Sequence, residues 1–84
     1  MLCRPARGAD PASFASRIAD EAASLRELQR DGVLIEAWSP GSPGAVLILE
    51  AQDTDAATAI TSRLPLVAAG LVTTEVIPLH HLEF

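Results

Sequence analysis

Glu21 is the residue whose position most directly suggests chemistry, because it interrupts an apolar helical stripe. In residues 14–30, FASRIADEAASLRELQR, a spacing of about 100° per residue gathers four apolar side chains into an arc of roughly 80°, namely Phe14, Ile18, Leu25 and Leu28. Glu21 falls inside that arc. A carboxylate held away from water favours its protonated form, so it accepts a proton more readily near neutral pH. Such a group could serve as a general base beside a carbonyl compound.

A structural role for Glu21 stands beside this interpretation. Arg17 lies four residues earlier on the same helix, so the two side chains could form an ion pair at the edge of the stripe. Apolar stripes tolerate a charged residue at their margin. The periodicity alone leaves both roles open.

Trp38 and Glu75 are the further candidates for contact with a substrate. Trp38 is the only tryptophan, and it could form a substrate wall, a core contact or a dimer contact. Glu75 lies in a strand with imperfect alternation, which leaves its direction open. It is either a second pocket carboxylate or a solvated or ion-paired strand residue.

No metal or organic cofactor is predicted. His80 and His81 are adjacent, so on a strand they face opposite sides and cannot chelate one ion together. Cys3 is the single cysteine, which excludes an internal disulfide and a multi-cysteine metal site; its expected role is packing.

Local signals predict two helices and three strands after residue 10. A helix starts at Asp10-Pro11 and runs to Arg30 or Asp31, stopping at Gly32. A second helix opens at Asp53 and is ended by Pro65. Three apolar runs rich in β-branched residues predict strands, namely Val33 to Trp38, Ala45 to Ala51 and Leu71 to Leu79. The first two strands are expected to form a hairpin joined through residues 39–44.

The element order α-β-β-α-β lacks one leading strand of the ferredoxin-like arrangement β-α-β-β-α-β, in which two helices cover one face of an antiparallel sheet. Residues 1–4 could supply only a short strand. Pro5 would remove a hydrogen bond from a central strand. We therefore expect an α+β fold whose first strand is shortened, missing or supplied by a partner.

Length and charge set the protein class. The 84 residues form one domain, 1–84, of a size for which oligomerisation is a strong expectation. A net charge of −5 with six scattered arginines argues against nucleic acid as a partner. The apolar runs are too short to span a bilayer, and two arginines and a proline near the start do not resemble a signal peptide. A cytoplasmic location is the default expectation.

A set of collinear segments resembles the muconolactone Δ-isomerase family across about seven-eighths of the chain. The matching segments are Asp10-Pro11-Ala12, Ala19-Asp20-Glu21, Leu28-Gln29-Arg30-Asp31-Gly32, Trp38, Leu64-Pro65-Leu66 and Glu75-Val76. The likeness fails at the start, where the family has a full apolar strand.

The resemblance implies a dimeric α+β barrel in which two sheets pack face to face, with assembly of the dimers into a decamer in some members. It also implies a cofactor-free isomerase that moves a double bond in a small lactone by abstracting and returning a proton. The family's proton-transferring glutamate falls on Glu21. Trp38 matches a family tryptophan.

Two segments depart from the family pattern. Ser-Pro-Gly-Ser-Pro-Gly at 39–44 replaces larger polar and aromatic residues, and Val-Ala-Ala-Gly at 67–70 replaces an aromatic-rich stretch. A retained base in a remodelled pocket suggests a different substrate or lost activity. A non-catalytic oligomeric module that binds a small molecule is therefore the alternative function. A cofactor-free monooxygenase or cyclase on the same fold is less supported, since its site would need polar side chains that are missing here.

Overall fold

The computed structural model describes all 84 residues and has an α+β architecture. Its four strands form one antiparallel sheet in the order β2-β3-β1-β4, which is the ferredoxin-like order. The predicted fold class is confirmed, including the short first strand. The elements are β1 (Leu2–Pro5), α1 (Pro11–Ala15), α2 (Ile18–Arg30), β2 (Leu34–Trp38), β3 (Ala45–Leu49), α3 (Thr54–Thr61), α4 (Pro65–Ala68) and β4 (Val72–Glu75).

Strand β1 is central in spite of Pro5, and the hydrogen-bond pattern explains why. The Met1 nitrogen donates to the Leu47 carbonyl at 2.6 Å, and the Leu47 N–H donates back to the Met1 carbonyl at 2.8 Å. Because backbone groups alternate in direction, the odd-numbered residues of β1 face β3. The β1–β3 pairing stops at Cys3. The backbone nitrogen of Pro5, which carries no hydrogen, therefore points beyond the end of the β1–β3 pairing, where β3 offers no acceptor.

The first predicted helix begins and ends as expected but is interrupted. The Asp10 carboxylate accepts from the Ser13 N–H at 3.2 Å, and Gly32 follows the helix with a φ of 77°. Ser16 and Arg17 form a turn between α1 and α2, and the side chains of both donate to the Ser13 carbonyl. These side-chain bonds compete with the helical backbone pattern.

Several predicted boundaries were wrong. Pro65 does not simply end the second helix, since it occupies the first turn of a new helix, α4, where its missing N–H is not needed. Strand β3 ends at Leu49 instead of Ala51, and β4 covers Val72–Glu75 instead of residues 71–79.

The core lies between the sheet and the helices on one face. Met1, Leu34, Leu47 and Leu64 form its buried centre. Seven partly buried residues pack around them: Cys3, Leu25, Leu28, Ala45, Leu49, Val67 and Val76. Ile18, predicted within the apolar stripe, is instead 46% exposed at the start of α2, directly after the break. None of the four helices combines the length and the apolar character needed to cross a membrane.

Candidate functional site

Glu21 joins helix α2 to helix α4. Its Oε1 accepts a hydrogen bond of 2.9 Å from the backbone N–H of Leu66, in the first turn of α4. The first N–H groups of a helix have no partner within it, so a carboxylate there supplies one and meets the positive end of the peptide dipoles. This bond fixes the position of the half-buried Glu21 side chain.

The second carboxylate oxygen of Glu21 has no protein partner. Oε1 alone takes part in a side-chain hydrogen bond, and Glu21 is in neither of the two salt bridges. No buried side-chain oxygen or nitrogen lacks a partner, so Oε2 keeps access to solvent. Glu21 thus presents one anchored oxygen and one accessible oxygen.

The ion pair with Arg17, the structural alternative drawn from the sequence, is not formed. The Arg17 Nη1 donates to the Ser13 carbonyl at 2.9 Å. The salt bridges of the chain are Arg4–Glu75 and Arg30–Asp31. The tertiary contact of Glu21 is with α4.

Glu21 also acts electrostatically on Cys3, which the sequence did not single out for the site. Burial raises the pKa of the Cys3 thiol above its ordinary value, the N-terminal ammonium opposes that shift, and the Glu21 carboxylate adds to it. Cys3 therefore lies within electrostatic reach of Glu21 on the helix-covered face of the sheet. Its half-buried packing against the core agrees with the role expected from the sequence.

Trp38 and Glu75 share the other face of the sheet. The strand registers pair Trp38 with Val46, Val46 with Leu2 and Leu2 with Glu75, so these four residues form one row across the sheet. Directly paired residues point to the same side. We call this uncovered surface the open face. Within one chain it brings Trp38 and Glu75 to a common surface and leaves Glu21 on the opposite side.

Both side chains are exposed on the open face. Trp38 is 61% exposed, and its indole Nε1 donates to Oε2 of Glu36 at 3.1 Å. Oε1 of Glu75 lies 3.5 Å from Nη1 of Arg4, and both side chains are more than half exposed. An ion pair of this kind contributes little stability.

Two cavities accompany this arrangement, and Glu21 lines neither. The first, about 320 Å³, lies between the end of β3, the start of α3 and the segment after β4, and it includes His80. The second, about 340 Å³, lies beside the hairpin at Pro40, Ser42 and Pro43 and includes Arg4. No three His, Cys, Asp or Glu side chains are grouped so that they could hold a metal ion.

The four-stranded antiparallel sheet with its helices on one face defines a small α+β protein of the ferredoxin-like class. Residues 1–83 match the family model described as muconolactone delta-isomerase, and the chain belongs to that family. Searches of curated proteins and of solved structures each found no significant match.

Proposed function

We propose that this chain is a cofactor-free isomerase of the muconolactone type. It would shift a double bond in a small lactone or an enolisable carboxylic acid by proton transfer through Glu21. Family membership supports the reaction class. The choice of Glu21 rests on the two oxygens of its carboxylate: Oε1 accepts a hydrogen bond from the Leu66 N–H, and Oε2 is accessible.

The proposed reaction needs one carboxylate that moves little. Oε2 takes a proton from the carbon at one end of the system conjugated with the carbonyl group, and the C–H electron pair enters that system as an enolate. The same proton returns to the far carbon of that system, and the double bond moves accordingly. Holding Oε1 on the Leu66 N–H limits the orientations of the carboxylate, which favours transfer by positioning.

We also propose a cytoplasmic homodimer, formed through the open face, that can assemble further to a decamer. The open face leaves Trp38 and three half-buried apolar side chains without a covering layer, namely Leu2, Val46 and Ile48. In such a dimer Trp38 and Glu75 lie in the interface, on the side of the sheet away from Glu21.

Glu21→Gln tests the proposed base. Glutamine keeps an oxygen that accepts from Leu66, but it cannot take up a proton at neutral pH. Isomerisation of muconolactone, followed by proton NMR, should slow by about 10²- to 10⁴-fold. The matched control, Glu27→Gln, changes an exposed glutamate on the same helix and should keep full activity. Equal rates in Glu21→Gln and the unaltered protein would exclude Glu21 as the base.

The non-catalytic binding module is the second candidate. It is favoured by one observation, that neither described cavity includes Glu21. This function predicts no turnover of the lactone by either protein, with Glu21→Gln retaining any ligand binding. Turnover by the unaltered protein alone would decide for the isomerase.

A further inference from the structure

The cavity beside α3 is built from parts of the chain that the proposed isomerase does not use. Its walls come from the end of β3, from residues 50–54 and from the segment 76–80 that follows β4. Its volume of about 320 Å³ lies within the range of small-molecule pockets. Glu21, Trp38 and Glu75 are not among its residues.

The inner wall of this cavity is apolar. Met1, Leu47 and Ala57 line it and are each at most 8% exposed. On the outer side Ile77 and Leu79 also line it, yet they are 44% and 69% exposed. An apolar molecule in the cavity would cover these two side chains and remove hydrocarbon surface from water.

The rim of the cavity is acidic. Glu50 and Asp53 both line it, while no lysine or arginine does. Asp53 accepts from the Ala56 N–H at 2.7 Å, and Glu50 has no salt-bridge partner. The cation at the wall, the Met1 ammonium, donates to the Leu47 carbonyl. His80 also lines the cavity and is counted as neutral in the formal charge at pH 7, so the charged side chains of the rim are the two carboxylates, which repel anions and attract cations.

We propose that this cavity is a second ligand site, selective for a small hydrophobic amine. The apolar wall takes the hydrocarbon part of the molecule, and the ammonium group lies at the rim near Glu50. A lactone carboxylate, the type of substrate proposed for Glu21, is disfavoured here. The site is independent of the proposed isomerase activity.

Three probes of nearly equal shape test the charge selectivity, namely benzylamine, benzyl alcohol and benzoate. Each is titrated at pH 7 into the ¹⁵N-labelled full chain, with amide chemical shifts as the readout. We expect the amides of residues 50–54 and 76–80 to move, with benzylamine binding about threefold to tenfold more tightly than benzoate. Benzoate binding as tightly as benzylamine would overturn the proposal, as would shifts confined to the open face.

Two variants on exposed positions test the assignment without disturbing the core. Glu50→Gln should weaken benzylamine about threefold and leave benzyl alcohol unchanged, whereas Glu27→Gln, away from the cavity, should change neither. Leu79→Ala should weaken all three probes, and Leu82→Ala, outside the cavity, should weaken none. Unchanged benzylamine affinity in both Glu50→Gln and Leu79→Ala would place binding elsewhere.

Discussion

The carboxylate of Glu21 and the backbone N–H of Leu66 are joined by a 2.9 Å hydrogen bond across 45 positions of the sequence. Glu21 therefore caps α4 from another helix. The same bond has two consequences, because it stabilises the contact between α2 and α4 and it orients the accessible oxygen. The structural and the chemical roles of Glu21 can be separated by comparing substitutions.

Glu21→Ala should destabilise the fold more than Glu21→Gln does. Alanine leaves the Leu66 N–H without its acceptor, which should lower the free energy of unfolding by about 1–2 kcal/mol. Glutamine keeps an acceptor oxygen, so its effect should stay within about 0.5 kcal/mol. Urea unfolding followed by circular dichroism measures both, with Glu27→Ala as the exposed control. An equal loss in the alanine and glutamine variants would contradict the capping role.

Gly44 should tolerate no side chain, because it approaches β1 too closely. Its φ is 128°, and a Cβ built on it would lie 2.6 Å from the Cys3 carbonyl oxygen. Gly44→Ala therefore adds a clash to an unfavourable backbone conformation, and we expect a loss of about 2–4 kcal/mol. Gly41→Ala is the control, since Gly41 has a φ of 82° but open space around its Cβ position, so its loss should be nearer about 1 kcal/mol. Similar thermal melting temperatures for the two variants would show that the Cys3 contact is unimportant.

Helix starts and ends could be predicted from the sequence because their signals are local. Asp10 and Asp53 each cap the helix that follows them, and Gly32 ends α2 with a positive φ. Pro65 was misjudged because a proline just after one helix and a proline in the first turn of the next have the same local signature.

The extent of β4 depends on a strand far away in the sequence. Its one neighbour in the sheet is β1, whose four residues pair with Val72–Glu75, so the apolar residues beyond have no pairing partner there. The candidate site likewise combines a feature that follows from local sequence with one that depends on a distant partner. The position of Glu21 on a mainly apolar helix face follows from periodicity, but its partner is a backbone N–H on another helix, which has no residue-type signature.

The Cys3 thiol should make unfolding depend on pH in the alkaline range. Burial raises the pKa of Cys3 above its ordinary value of 9.0, so the folded state keeps its thiol proton more tightly than the unfolded state. The resulting stabilisation is fully present below pH 9.0 and is lost as pH rises through the higher pKa of the folded state. The stability difference between the unaltered protein and Cys3→Ala should therefore shrink between pH 8 and pH 11. A difference that stays constant across this range would contradict a raised pKa.

The proposed dimer can be tested through the centre of the open face. Val46 lies between Trp38 and Leu2 in the row across the sheet and is half-buried within one chain. Val46→Lys would place an ammonium group between two packed sheets, which costs several kcal/mol, but in a monomer the same group reaches water. Sedimentation should therefore show a dimer for the unaltered protein and a monomer for Val46→Lys.

The fluorescence of Trp38 gives a second measurement of the same event. The indole is 61% exposed in one chain, so covering it should shift its emission to shorter wavelength as the protein concentration rises. Val46→Lys should lose this shift, whereas Ala59→Lys, on the exposed side of α3, should keep it. A dimer that survives Val46→Lys with unchanged emission would mean that the chains associate through another surface, since the open face cannot bury a lysine at its centre without loss of affinity.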